Sequence, residues 1–469
     1  MPKREVRIRM YRQGLGDCFL LTFPRTPEPF HLLIDCGALN SRHYDTTLMK
    51  KVVRDIQATT GGRLDAVAGT HEHWDHISGF LQAQEIFDEM DITQVWVAWT
   101  EDPDDKAAQL MKETFKKRKM AVEMALKHIP DHEESRLRGY RQAITELFGF
   151  YGGLGATNGK GKTEEAWDYL LEKGRKIYCV PQKRPLELDG VGGVRVYVLG
   201  PPQDPEYIRK RLSTKETYAE SRPGFSLVDS FLAAVASDGA DLEMRTRAFP
   251  FDERYRIPVS EAQTAAFFQK HYGFVAGDAQ EWRHIDHDWL TLAGELALQL
   301  DSYTNNTCLA LAIELVESGR VLLFPGDAQV GNWLSWEELS WKVKDAQGNV
   351  QTVTTDDLLA RTVFYKVGHH GSHNATLRTK GLEKMESPDL VAMIPVHRKT
   401  AEDQEWEFPY PPLWERLKEK AHGRVLLADA VDVNEIAEEA QALLSSDDWK
   451  SFQKSINFTE LYVEYRLAY

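Results

Sequence analysis

The sequence predicts a mixed α/β (α+β) protein in which the end of a buried strand carries a cluster of metal-ligand side chains. Two observations lead there. Short apolar or alternating runs of strand length recur in the first and last thirds of the chain, separated by turn residues. One of them, Leu64 to Gly69, runs into His71, His73, Asp75 and His76, after which Ile77, Phe80, Leu81 and Phe87 follow a helical period. Residues two apart cannot share a helix face, so His71 and His73 belong to a loop at the strand's end. The unit is a strand, a loop bearing three imidazoles and a carboxylate, and then a helix.

Neutral imidazole and carboxylate are good ligands for zinc, manganese or iron. A single loop with this content can feed two adjacent ions. Two ions a few Å apart can share a bridging hydroxide and clamp both oxygens of a displacement at phosphorus or at a carbonyl. The plain alternative is a solvated histidine-rich loop. Four ligand-type side chains in so short a stretch at a strand exit argue against it.

At 469 residues the chain can bury a large core. Its 42% hydrophobic and 28% charged residues are ordinary for a globular protein. The net charge of −15 argues against broad non-specific nucleic-acid binding, although local patches override net charge. No apolar run approaches the roughly 20 residues of a membrane span. The opening MPKREVRIRMYRQ is charged throughout, unlike a signal peptide. Cys18, Cys36, Cys179 and Cys308 are isolated, and most lie in strand-like runs. They read as buried thiols of a reducing compartment, so a cytoplasmic protein without a membrane partner is expected.

Taken in order, Val6–Tyr11, Cys18–Phe23 and His31–Asp35 read as strands, with a turn at Gly14, Gly16 and Asp17. Val95–Trp99 follows the histidine loop as another strand. Residues 101–175 are charged and helical, with Lys112, Lys116, Lys117 and Lys119 mostly off the apolar face, then Arg136, Arg138 and Arg141. This basic cluster can grip phosphates, but a solvated helix face is the commoner meaning of such a run. Ala156–Thr163 loosely fits a phosphate-loop pattern, yet no buried strand precedes it, so a flexible loop is expected. Val194–Leu199 is a strand, and residues 203–300 return to charged helical character with His271, His284 and His287. Thr307–Val316 and Arg320–Pro325 are strands, the second ending in Gly326-Asp327. Val363–Val367 precedes Gly368-His369-His370-Gly371-Ser372-His373, and Asp389–Pro395 and Val425–Leu427 are further strands. Residues 433–469 add an acidic helical stretch and an alternating strand, LYVEYRLAY.

The loop His71-x-His73-x-Asp75-His76 resembles the HxHxDH signature of the metallo-β-lactamase superfamily. QGLGDCFLL with LLIDCG, NNTCLALAIELVESGRVLLFPGDA, and the GHHGS turn resemble one branch of it, the hydrolase domain of the ComEC DNA-uptake competence protein. The resemblance implies a four-layer αββα sandwich built from residues 1–100, 177–200 and 301–430 of a single domain spanning 1–469. Helical insertions at 101–175 and 203–300 form a wall or cap, and 433–469 lies beyond as a C-terminal extension. It implies two divalent ions, Zn2+ or Mn2+, on His71, His73, Asp75, His76, a bridging Asp327, and His369 or His370, between which the sequence does not decide. Asp35 then supports the loop from behind; a turn aspartate is the equal alternative. Asp75 both ligates and orients the hydroxide. His373 is a candidate general acid, although an exposed loop histidine is the commoner case.

One position departs from the superfamily. No histidine lies between His287 and Asp327, where many members carry one; Asn305 and Asn306 stand near that place, and Asp301 is a further candidate. An amide oxygen would hold the first ion loosely and favour manganese over zinc. The resemblance implies a metal-dependent phosphodiesterase, a nuclease acting on DNA or RNA. The acidic chain favours the alternative of a hydrolase of small esters, lactones or small phosphodiesters. A non-catalytic module stabilised by its metal is the third possibility.

Overall fold

The computed structural model describes residues 4–39, 46–127, 145, 161–210, 216–217, 253–255, 257–272, 288–345 and 347–469. The chain divides into two units, one of Met1–Met111, Gly149–Arg222 and Ser302–Tyr469, the other of Lys112–Phe148 and Pro223–Asp301. The second unit is helical where it is described, as at Val259–Ala262 and Ala266–Tyr272. The calls on Arg136, Arg138, Arg141, His284, His287 and Ala156–Lys160 lie outside the described residues. Among the described residues, no helix is long and apolar enough to cross a membrane.

The first unit is mixed α/β. Its strands in chain order are β1 (Glu5–Tyr11), β2 (Phe19–Phe23), β3 (Phe30–Ile34), β4 (Arg63–Ala68), β5 (Asp91–Ala98) and β6 (Arg175–Cys179). There follow β7 (Leu186–Glu187), β8 (Val194–Gly200), β9 (Ala310–Leu315) and β10 (Arg320–Phe324), then a hairpin of β11 (Ser340–Lys344) and β12 (Val350–Thr354). Last come β13 (Thr362–Lys366), β14 (Val391–Ile394), β15 (Val425–Leu427), β16 (Ile456–Phe458) and β17 (Tyr462–Ala468). An eight-stranded sheet has the order β16-β17-β1-β2-β3-β4-β5-β6, and a seven-stranded sheet the order β15-β14-β13-β10-β9-β8-β7.

One face of each sheet contributes to a common core. Ile8, Phe19, Leu32 and Trp96 from the first sheet cluster with Val196, Leu311, Phe324 and Met393 from the second. The other face of the first sheet is covered by α1 (Thr46–Thr60), α2 (Trp74–Gln82) and α3 (Lys162–Glu172), through Val53, Ile56, Phe80 and Leu170. The other face of the second sheet packs under Trp333, Trp336, Leu413 and Leu417. Burial on both faces explains why β3, β4, β10 and β13 read as near-continuous apolar runs.

Parallel pairing places the chemistry. β3 runs parallel to β4, and β10 to β13 and β13 to β14. The loops bearing Asp35, His71–His76, Asp327, His369–His373 and Pro395 therefore all leave the carboxyl ends of parallel strands, where open sheets gather their ligands.

The residues after 433 supply two strands. β17 pairs antiparallel with β1 along its length, from Glu5↔Ala468 to Tyr11↔Tyr462. Its burial follows from the alternation already visible in Tyr462–Ala468: Val463, Tyr465 and Leu467 join the common core.

A buried histidine gives this unit a pH signature. In β3, the His31 Nδ1 is 3.2 Å from the Thr22 hydroxyl, and its backbone N–H donates to Asp65 Oδ2 at 3.0 Å. Burial pushes its pKa down to about 4 despite the nearby Asp65 carboxylate. The unfolded chain therefore takes up this proton first as pH falls. The stability lost to it is nil above about pH 6.5 and grows toward pH 4, to at most about 3 kcal/mol. Urea unfolding of wild type and His31→Gln at pH 7 and pH 4.5 checks this: wild type should lose more stability on acidification than the variant does.

Candidate metal centre

Two glycine turns clamp the histidine loop. A Cβ on Gly16 would stand 2.5 Å from the Asp75 carbonyl oxygen, and one on Gly37 would stand 2.4 Å from His76 N, so only glycine admits this approach. The Asp17 N–H donates to Asp75 O at 2.9 Å, and the Cys36 N–H donates to His76 O at 2.8 Å. The Gln13 amide donates to Gly16 O and Gly37 O, tying the two turns together.

Asp35 supports the loop from behind. Its Oδ1 accepts the Thr70 N–H at 2.8 Å, and its Oδ2 accepts the Thr70 hydroxyl at 2.7 Å and His76 Nδ1 at 2.8 Å. It is fully buried and holds φ 55°, a left-handed conformation that this hydrogen bonding over-determines.

These partners fix the tautomers of three imidazoles. His76 Nδ1 faces a carboxylate that only accepts, so that nitrogen keeps its proton and Nε2 is the one offered to an ion. His370 Nδ1 donates to the Pro395 carbonyl at 2.8 Å, which makes Nε2 the nitrogen that this ring offers to an ion. The Thr70 hydroxyl spends its proton on Asp35, so at 3.0 Å it accepts from His71 Nδ1, and His71 Nε2 is likewise left basic. That nitrogen lies 3.1 Å from His73 Nδ1.

Asp75, His76, Asp327 and His370, all buried, place ligand atoms within 4.8 Å of one another. His370 Nε2 is 2.8 Å from Asp75 Oδ2. His76 Nε2 is 3.0 Å from Asp327 Oδ2 and 3.7 Å from Asp75 Oδ2. His76 Nε2, Asp75 Oδ1 and Asp327 Oδ2 are buried, yet none makes a hydrogen bond of normal geometry. A purely structural salt-bridge network satisfies such atoms, because each left bare costs about 1–3 kcal/mol or more. Converging nitrogen and oxygen donors without ordinary hydrogen bonds are what a divalent cation needs. This buried Asp/His group can hold a metal ion.

In the metal-free site the surrounding carboxylates favour protons on His76 and His370, which a bound ion would displace. Burial opposes charge on His76, but Asp327, Asp17, Asp75 and Asp35 hold its pKa well above the usual imidazole value. His370 is also raised, against burial, by its contact with Asp75 and the field of Asp327. Burial opposes ionisation of Asp327 too, yet His76 and Lys366 hold it well below the usual carboxylate range. Burial drives His71 well below its usual value, His73 to about 3 and His369 to about 4, so these rings are neutral at pH 7 and able to ligate.

Of the paired histidines, His370 belongs to the four-residue group. His369 is turned differently: its backbone N–H donates to Asp327 Oδ1 at 3.0 Å, and its Nε2 stands 3.9 Å from Asp327 Oδ2. Both residues hold left-handed φ values, 45° and 53°. His71 and His73 lie beside the group without sharing its 4.8 Å radius. His373 is half-buried and meets Tyr410 edge-on, with ring centroids 5.8 Å apart. Asn306 is committed elsewhere: its amide donates to Ile208 O and Lys210 O, and its Oδ1 accepts the Asn332 N–H. Asp301 falls in the second unit.

Two residues of the centre escape sequence reasoning. Asp17 belongs to a recognised turn but carries no visible sign of its role. Lys366 is marked only as a lone cation ending the apolar run of β13. No protein-family model matches this chain, and no curated protein matches it either.

Proposed function

We propose that the protein is a metal-dependent hydrolase of the metallo-β-lactamase fold, a four-layer αββα sandwich, acting as a phosphodiesterase or nuclease on DNA or RNA. The observation that carries this reading is the convergence of Asp75, His76, Asp327 and His370 with bare, buried ligand atoms at the carboxyl ends of parallel strands. Those four residues hold one ion, and His71 and His73 begin the coordination of a second. When bound, Zn2+ or Mn2+ supplies an activated water and stabilises the charge that develops on the displaced oxygens.

The chain's own residues do the rest. Asp35 keeps His76 Nδ1 protonated and the Pro395 carbonyl does the same for His370, so each ring is held with Nε2 toward the centre. Asp75 lies at the first turn of α2 with Oδ1 bare, placed to take the proton of an attacking water. His369, neutral and on the edge of the group, is placed to orient substrate.

The net charge of −15 favours a second substrate class, small esters or small phosphodiesters. Purified protein incubated with single- and double-stranded DNA and RNA, and with a panel of small esters and phosphodiesters, in Mn2+, Mg2+ or Zn2+, separates the readings. The expected result is nucleic-acid cleavage that falls by about a hundredfold or more in Asp75→Ala. Turnover of small substrates alone would favour the second class. A metal-loaded protein inert toward all of them would leave a non-catalytic module.

A further inference from the structure

Lys366 is the buried cation nearest the proposed centre, and nothing in the hydrolase reading assigns it a task. It closes β13, and its ammonium has three protons to place. They go to the Gly326 carbonyl at 2.9 Å, to Asp327 Oδ1 at 3.2 Å, and to Asp17 Oδ2 in a short contact. The side chain is 1% exposed, so no water competes for these bonds.

Two consequences follow from the oxygens it occupies. Asp327 Oδ1 is held by Lys366 Nζ and by the His369 N–H, which leaves Oδ2 as the only Asp327 oxygen facing His76 Nε2. Asp17 presents a hazard of its own. With Asp35 and His76 it forms a second buried group whose ligand atoms lie within 4.8 Å of one another. An ion drawn there would leave Asp75 and His370 behind. The Lys366 ammonium sits on Asp17, and the His76 Nδ1 proton sits on Asp35. Both carboxylates of the wrong pocket are thereby occupied.

We propose that Lys366 is the positioning residue of the metal centre, fixing Asp327 to offer a single oxygen to the ion and holding Asp17 out of the coordination. The inference rests on the metal-centre reading and deepens it.

Co2+ tests this, because the intensity of its visible band falls as its coordination number rises. Wild type, Lys366→Met and the double variant Asp17→Asn/Lys366→Met are loaded with Co2+, and spectra and affinities are recorded. The double variant removes the carboxylate that Lys366→Met would leave buried and unpaired. The expected result is a weaker band in both variants, as Asp327 turns bidentate, with affinity about tenfold to a hundredfold lower. A role confined to stability would lower the melting temperature but leave the band of the folded fraction unchanged. Wild-type spectrum and affinity in either folded variant would overturn the proposal. Should neither variant fold, the Co2+-loaded wild-type crystal structure decides. Asp327 bound through Oδ2 alone, with Lys366 still on Oδ1, supports the proposal, and a bidentate Asp327 or a ligating Asp17 ends it. Wild type that binds no Co2+ would instead remove the metal-centre reading itself.

Discussion

Asp327→Asn is expected to lower the affinity for Mn2+ or Zn2+ by at least about a hundredfold, since residues that merely support a ligand cost about ten- to a hundredfold when removed. The substitution keeps shape and changes charge. An asparagine in this place keeps its oxygen toward the Lys366 ammonium and the His369 N–H, the two donors now on Oδ1. Its NH2 group then faces His76 Nε2, where Asp327 Oδ2 stands at 3.0 Å. A donor replaces a lone pair at the point where an ion needs one. The metal-free fold is expected to survive, because Lys366 retains Asp17 and the Gly326 carbonyl. Calorimetric titration of wild type and variant with each metal, alongside their melting curves, checks both halves. An unchanged affinity would show that Asp327 is no ligand.

Arg9→Met is expected to cost about 3–5 kcal/mol, the usual consequence of stripping one partner from a buried ion pair. The Arg9 guanidinium meets Glu464 Oε2 at 3.1 and 2.8 Å, Asp55 Oδ2 at 2.8 Å and the Thr59 hydroxyl at 2.9 Å. It also lies 3.8 Å above the Tyr462 ring. It thus joins β1 to β17 and to α1, three segments that are distant in the chain. Glu464 is 3% exposed, and although burial opposes its ionisation, Arg9 and Arg466 keep its pKa below the ordinary value. With Arg9 gone, that carboxylate is left buried with only the exposed Arg466 beside it. The urea midpoint should fall at unchanged slope. Arg9→Met/Glu464→Leu should recover part of the loss, because two apolar groups replace a pair that water would otherwise solvate. A loss under about 1 kcal/mol in the single variant would mean that the pair behaves as an exposed one.

The two largest effects fall on residues of very different legibility. Asp327 is legible only in company: a Gly-Asp turn closing an apolar run is a weak signal alone and gains weight beside the histidine loop, which is itself legible because spacing of two excludes a helix. The strands around them were equally plain, since burial on both faces makes their runs apolar without interruption. Arg9 and Glu464 look like ordinary outward positions of alternating strands; only the pairing of β1 with β17 turns them toward each other. α1 buries Met49, Val52, Val53 and Ile56 at a helical period, but it carries no ligand-type motif that would mark it. The choice between His369 and His370 could not be made from sequence. It depends on consecutive left-handed backbone angles, which adjacent identical side chains do not reveal. Asn306 is spent on structure: its amide donates to Ile208 O and Lys210 O and its Oδ1 accepts the Asn332 N–H, pairings that its place in the sequence does not reveal. Lys366 and Asp17 meet only because the first turn of the chain and the end of β13 converge, and no local pattern records that.

The most direct test is a count of retained metal. Wild type and Asp75→Ala/Asp327→Ala are dialysed to equilibrium against Mn2+ or Zn2+, passed through a desalting column, and analysed for metal per chain. The expected result is at least one ion held by wild type and none by the variant, with both proteins folded. Wild type emerging empty of both metals, or a variant that keeps as much metal as wild type, would contradict a centre built on Asp75, His76, Asp327 and His370.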